Sequence, residues 1–257
     1  MKIAVIGAGA MGGAFIDGLL ASRAVEASDI VVANPTEGKL LRFAEKGVRV
    51  TTSNVVAAKA VDIVVVAVKP WLVESVMQEI APAIAGRKVI LVSFAAGGPL
   101  PTSPRGGGEG PGVITVIPNI AIAQRQSMTF IAGGDVPEDD VCVVKTLFDQ
   151  LGQTRLVNEK QLRAGTILAS CGIAYAMRYI RAAAEGGVEI GFRADEAKDI
   201  VLQTVKGAVE LLQATGEHPE QAIDRVTTPG GITIRGLNAM EQAGFTKAVI
   251  EGLKIRS

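Results

Sequence analysis

Apolar residues fall into two rhythms along the chain. Up to about residue 156 they come in short runs, Lys2–Ile6, Asp29–Ala33, Val48–Thr51, Asp62–Val68 and Val89–Phe94, with helically spaced apolar positions in Met11–Leu20 and in several other intervals. Short apolar runs bounded by turn-forming residues read as buried strands, and their alternation with helices implies a parallel, doubly wound sheet. Val113–Ile117 and Met128–Ala132 continue the strands, and Glu138–Leu151 reads as a closing helix. Beyond residue 156 no strand-like alternation survives. Apolar residues recur there at helical spacing through Leu162–Ala184, Ala194–Ala214 and Ile232–Met240, which predicts helices alone. The expected fold class is α/β: a doubly wound sheet over residues 1–155, then an all-helical domain over 156–257.

Two stretches qualify this picture. Gly97 to Gly112, GGPLPTSPRGGGEGPG, is too rich in glycine and proline for helix or strand to persist, and predicts a surface loop. Ile167 to Met177 is so apolar that a small helical bundle covers it poorly, so a homodimer built through these helices is expected, with larger assemblies left open.

Composition narrows the partners. With 26 basic and 26 acidic residues the chain has no net charge to draw it to nucleic acid or an anionic membrane, leaving a small molecule as the expected partner. Cys142 and Cys171 match neither a disulfide framework nor metal-ligand spacing, and read as buried thiols in a reducing compartment. The opening MKIAVIGAGAMGG is interrupted by glycines and resembles no cleaved leader. Ala164 to Met177 is uncharged but well short of the ~20 residues of a spanning helix, so a soluble, cytoplasmic protein is expected.

Candidate chemistry starts at Gly7-x-Gly9-x-x-Gly12, placed after a strand and before a helix. In that context Gly7 allows the tight turn, Gly9 lets the backbone approach a pyrophosphate, and Gly12 allows helix to pack on strand, while the helix amino terminus attracts phosphate. This is a Rossmann-like dinucleotide-binding turn. At the end of the second strand, where NAD-preferring domains carry an acid, the chain has Asn34. Asn34, Thr36 and Lys39 can donate to a 2′-phosphate that a carboxylate would repel, which favours NADPH, with NADH still admissible. Ala67-Val68-Lys69-Pro70 ends another strand at the carboxyl edge, where open α/β sheets bind ligands; a solvated lysine is the alternative reading of Lys69. In the helical domain, Thr227-Thr228-Pro229-Gly230-Gly231-Ile232-Thr233 ends one helix and starts another. Its free amides and the hydroxyls of Thr228 and Thr233 could hold a small carboxylate, though taken alone it reads more readily as an ordinary helix–helix turn than as a site.

Four stretches together resemble the pyrroline-5-carboxylate reductase family over nearly the whole chain: GAGAMG at 7–12, AVKP at 67–70, SFAAG at 93–97, and GEHP at 216–219 leading into VTTPGGITIRGL at 226–237. The resemblance implies reduction of the ring C=N of 1-pyrroline-5-carboxylate to L-proline by hydride from NADPH or NADH, in a dimer whose helical domains intertwine. It places Asn54, Ala67, Lys69 and Pro70 along the adenosine and ribose of the cofactor, and the expected cofactor-binding set is then Gly7, Gly9, Ala10, Met11, Gly12, Asn34, Thr36, Asn54, Ala67, Lys69, Pro70 and Asn119. The substrate would lie against Thr228, Gly231, Ile232 and Thr233, with the Thr233 hydroxyl on the ring nitrogen as the catalytic contact. A protonated imine is already electrophilic, so alignment matters more than a strong acid or nucleophile. That suits a chain with one histidine, His218, which precedes Pro219 and reads as a helix-start residue.

The chain also departs from the family. In place of M-x-N-T-P it has Ile117-Pro118-Asn119-Ile120-Ala121, and in place of S-G-S-G-P-A-Y it has Ala169-Ser170-Cys171-Gly172-Ile173-Ala174-Tyr175. These changes bear on the pocket wall and hence on substrate size or affinity. Two alternatives follow: a reductase of another substrate such as a β-hydroxy acid, whose usual interdomain-helix lysine is missing here, and an NADPH-binding regulator without turnover.

Overall fold

The structure is a computed structural model and describes residues 1–95 and 112–255. The loop predicted over 97–112 therefore lies outside the described residues except for Gly112. Two compact units emerge, Met1–Ser170 and Cys171–Ser257.

In the first unit eight strands form one sheet: β1 (Ile3–Ile6), β2 (Ile30–Ala33), β3 (Arg49–Thr51), β4 (Ile63–Val66), β5 (Ile90–Ser93), β6 (Val113–Ile117), β7 (Ser127–Ala132) and β8 (Gly152–Leu156). Their order is β3-β2-β1-β4-β5-β6-β7-β8. All neighbours are parallel except β6 and β7, which are antiparallel. β1, β2, β4 and β5 are buried at every position, because helices cover both faces of a parallel sheet and leave no side for polar residues. The helices are α1 (Ala10–Ser22), α2 (Leu41–Ala44), α3 (Asn54–Ala57), α4 (Val73–Ile84), α5 (Glu138–Asp149) and α6 (Glu159–Gly165). One core joins Phe15, Leu19, Phe43, Leu147 and Phe148, with the rings of Phe15 and Phe148 stacked at 5.2 Å. A second joins Val64, Met77, Ile80 and Leu91, and a third, smaller one joins Ile117, Phe130, Ala132 and Leu162.

β8 has the sequence GQTRL, with no apolar run to announce it; it lies at the sheet edge, half exposed, parallel to β7. The helix predicted through Leu162–Ala184 is broken. α6 ends at Gly165, a π-helical turn spans Thr166–Cys171, and α7 (Gly172–Glu189) follows. At Gly165, just before the break, α6 is pressed onto β7: a Cβ there would stand 2.7 Å from the Phe130 ring.

The second unit is helical throughout its described residues: α7, α8 (Ala194–Thr215), α9 (Pro219–Arg225), α10 (Ile232–Gln242) and α11 (Phe245–Lys254). α7 and α8 approach closely where Gly187 faces Ala197. The Tyr179 ring meets Phe245 edge-on at 6.3 Å, and the Tyr175 hydroxyl donates to the Gly252 carbonyl at 3.2 Å. His218 caps α9, its Nδ1 accepting the Glu220 N–H at 3.3 Å, in keeping with the helix-start reading. The expectation of buried thiols fails: Cys142 and Cys171 are both exposed and unpaired, Cys142 because it lies on the outer face of amphipathic α5. Among the described residues no helix is long and apolar enough to cross a membrane.

Candidate functional site

Strand order reverses at β1, which has β2 on one side and β4 on the other. A crevice at the carboxyl ends of these strands is where open sheets bind ligands. Gly7 leaves β1 with φ +106° and its N–H on the Ala33 carbonyl, and a Cβ there would strike the Ala67 carbonyl oxygen at 2.6 Å. Only glycine satisfies both the dihedral and the contact. Gly12 is equally constrained, since its Cβ would collide with the Gly7 carbonyl. Gly9 differs: nothing lies within 4 Å of its Cβ position, so the protein leaves open the space that a side chain would fill. Immediately beyond it α1 begins, with no acid in its first turn and with the amides of Ala10, Met11 and Gly12 free of the partners that interior helical amides have. Constrained turn, open Gly9 and positive helix end fit a pyrophosphate.

Asn34, at the end of β2, is 7% exposed and held by the protein on both sides. Its Oδ1 accepts the Ala8 N–H at 3.1 Å, and its Nδ2 donates to the Thr36 carbonyl at 3.2 Å. One amide hydrogen remains, so Asn34 fixes the glycine turn more fully than it can read a phosphate. The side chains of Thr36 and Lys39 are exposed beside it. Asn54 opens α3 and donates from Nδ2 to Glu79 Oε2 at 2.8 Å. The Ala67 N–H bonds the Ile6 carbonyl at 2.8 Å and binds the two switch-point strands together. Lys69 is extended before Pro70, its carbonyl taken by the Leu72 N–H at 2.9 Å and its side chain exposed.

Asn119, after β6, is 5% exposed. Its Oδ1 caps the following 3₁₀ turn through the Ala121 N–H at 3.0 Å, and its Nδ2 lies 3.5 Å from the Ala169 carbonyl. The sequence signals neither this engagement nor that of Asn34 and Asn54, because the partners Ala8, Glu79 and Ala169 are distant along the chain.

In the helical unit the Thr228–Thr233 segment is a tight turn. The Gly231 N–H donates to the Thr228 carbonyl at 2.9 Å, and Gly230 has φ +70°. A Cβ on Gly231 would meet Thr228 Oγ1 at 2.5 Å. Gly231 precedes α10, whose first turn has no side-chain cap and no acid, so the amides of Ile232 and Thr233 are available to an anion. Arg225 ties the approach to this turn: Nη1 donates to Glu217 Oε1 at 2.8 Å and Nη2 lies 2.7 Å from Oε2, across the length of α9. Among the described residues no cluster of histidine, cysteine and acidic side chains could hold a metal ion.

Two family models match different parts of the chain. Residues 159–255 match the family described as pyrroline-5-carboxylate reductase dimerisation, and residues 2–97 the family described as NADP oxidoreductase coenzyme F420-dependent. Pyrroline-5-carboxylate reductase 1 of Dictyostelium discoideum is 37% identical over 98% of the chain, which spans 48% of that relative. Pyrroline-5-carboxylate reductase 2 of the same organism is 34% identical over 98% of the chain and 89% of the relative. The Plasmodium falciparum pyrroline carboxylate reductase solved with NADP bound superposes with a TM-score of 0.86 at 26% identity, over 99% of this chain and 94% of that one.

Proposed function

The chain belongs to the pyrroline-5-carboxylate reductase family, and we propose that it reduces 1-pyrroline-5-carboxylate to L-proline with NADPH, the last step of proline biosynthesis. The observation that carries this reading is the union, in one chain, of the open glycine turn at Gly7–Gly12 with the Thr228–Thr233 turn before α10. In this reading residues 1–155 hold the cofactor and residues 156–257 hold the substrate and form the dimer.

Gly7, Gly9, Ala10, Met11 and Gly12 receive the pyrophosphate on backbone and helix terminus. Asn54, Ala67, Lys69 and Pro70 border the adenosine and ribose, Thr36 faces the 2′-phosphate, and Asn34 and Asn119 hold the two flanking turns in shape. NADPH bound there supplies the hydride. Free amides at Gly231–Thr233 and the Thr228 hydroxyl bind the substrate carboxylate, and the Thr233 hydroxyl bonds the ring nitrogen, fixing the imine carbon for attack. Orientation of this kind accounts for much of the rate of a reaction whose electrophile is already activated.

A homodimer through the helical unit belongs to the same reading, supported by the dimerisation-family match and by the apolar residues that unit leaves exposed. The free thiols of Cys142 and Cys171 suit a reducing compartment such as the cytoplasm. The test is NADPH oxidation by the purified protein with 1-pyrroline-5-carboxylate, in wild type and in Thr233→Val. The wild type turns over. The variant loses roughly tenfold or more in kcat/KM for the imine, about one hydrogen bond to a charged group, while NADPH affinity is unchanged. NADPH binding without imine-dependent oxidation in the wild type would sink the reductase reading and leave a cofactor-binding regulator.

A further inference from the structure

The two segments in which the chain departs from its family are far apart in sequence and bonded to each other in space. The Ser170 hydroxyl donates to the Pro118 carbonyl at 3.1 Å, and Asn119 Nδ2 reaches the Ala169 carbonyl at 3.5 Å. Below them runs a buried polar chain. The Asn119 N–H donates to Ser127 Oγ at 3.1 Å, and Thr129 Oγ1 donates to the same oxygen at 2.9 Å; Ser127 and Thr129 are 2% and 0% exposed.

One of these bonds, and the cap that Asn119 Oδ1 accepts from the Ala121 N–H, rest on residues that the family pattern lacks. In M-x-N-T-P the position of Ala121 is a proline, which has no N–H to give to Asn119 Oδ1. In S-G-S-G-P-A-Y the position of Ser170 is a glycine, which has no hydroxyl to give to the Pro118 carbonyl. Ser170 thus adds a donor across the contact, and Ala121 adds one that holds Asn119, the residue whose amide makes the contact's other bond. The contact also lies at an informative place. Pro118 and Asn119 follow β6 at the carboxyl edge of the sheet, on the far side of the switch point from Asn34. With the adenosine half on the β2 side and the pyrophosphate at α1, that edge borders the nicotinamide half of a dinucleotide laid across the crevice. Its partner is a π-helical turn, a rare form that is frequent at functional sites.

We propose that Ser170 directly, and Ala121 through its hold on Asn119, are positioning residues, which fasten the exit of β6 to the π-helical turn and so hold the wall beside the reacting end of the cofactor in one arrangement. Fully satisfied buried polar networks rigidify in this way. The inference rests on the reductase reading for its kinetic consequence, but the fastening itself is measurable without turnover.

The experiment combines amide hydrogen exchange of peptides covering 113–124 and 159–171 with steady-state kinetics, in wild type, Ser170→Gly, Ser170→Thr, Ala121→Pro and the double variant Ser170→Gly/Ala121→Pro. Ser170→Gly is expected to speed exchange in both segments roughly fivefold, the effect of one hydrogen bond, and to lower kcat by a similar factor without raising KM for NADPH. Ser170→Thr, which keeps the hydroxyl, restores both. The double variant loses less than the product of the single effects, because both residues serve one network. Exchange that changes only in the mutated segment, multiplicative losses, or coupled exchange with unaltered kcat would each overturn the proposal. A wild type with coupled exchange and no turnover would overturn the reductase reading instead.

Discussion

Phe15, Phe43 and Phe148 are fully buried in the sheet-bearing unit, whereas Tyr179, Phe192 and Phe245 of the helical unit, side chains of similar size, stand 43%, 47% and 43% exposed. The contrast extends to the aliphatic residues. Among the described residues Ala197 and Ala222 are the only buried apolar residues of the second unit, while Met177, Ile190 and Ile232 are 58%, 79% and 83% exposed. Fully burying one such large side chain is worth about 1.5–3 kcal/mol, so the first unit draws its stability from its own interior and the second has that stabilisation still to gain. The difference teaches that the two halves are different kinds of folding problem: one is completed by a single chain, and the other needs a further surface, for which a second copy is the proposed source.

The largest effects should separate the halves. Phe148→Ala, in the stacked aromatic core, is expected to lower unfolding stability by about 3–5 kcal/mol while leaving assembly intact. Met177→Glu, on the exposed face of α7, should do the reverse to the dimer, weakening association at least ~100-fold because a buried unpaired carboxylate costs several kcal/mol. Sedimentation equilibrium and urea denaturation on both variants check the pair. If Met177→Glu leaves the mass in solution unchanged, α7 does not form the interface. If Phe148→Ala dissociates the protein, the halves are not independent.

The same contrast governs what could be read from sequence. β1 and β4 are legible because a strand buried on both faces must be apolar throughout, whereas β8 is not, because the edge strand GQTRL meets solvent and carries no such pattern. The break between α6 and α7 is illegible for the opposite reason. Apolar spacing runs on through Leu168 and Met177, and the close packing of Gly165 on Phe130, just before the break, is a contact with the sheet that the spacing does not show. The glycine turn at Gly7 and the turn at Gly230 are legible since their backbone dihedrals need glycine. The engagement of Asn34 with Ala8 is a tertiary fact, invisible until β1 and β2 are placed side by side.

Asn34→Asp sharpens the comparison within the first unit, between residues that build the crevice and residues that read the cofactor. Aspartate retains an oxygen for the Ala8 N–H but loses the donor to the Thr36 carbonyl and adds a charge beside the proposed 2′-phosphate. The ratio of KM for NADPH to that for NADH should rise by roughly tenfold, equivalent to about 1.4 kcal/mol. Both values rising together, with no change in ratio, would make Asn34 a strut and leave phosphate recognition to Thr36 and Lys39.

The smallest expected effect lies where the first unit most resembles the second, at the β8 edge, which has little core beneath it. Asp149, at the end of α5, accepts hydrogen bonds from Lys145 at 2.6 Å and from the Thr154 hydroxyl of β8. Partial burial pushes its carboxyl up, but the bonds from Lys145 and Thr154 and the lysine charge outweigh that and hold it below the ordinary carboxylate range. A carboxyl depressed in the folded state stabilises the fold at pH values above its unfolded pKa, and the contribution is lost as pH falls through the folded one. Because the side chain is 39% exposed, screening limits the contribution to a few tenths of a kcal/mol. Asp149→Asn should therefore be slightly less stable than wild type in urea at neutral pH, and the gap should close in acid, once the pH has fallen below the folded-state pKa and the wild-type carboxyl is also protonated. A gap of the same size at both pH values would mean that hydrogen-bond geometry, rather than charge, ties α5 to the edge strand.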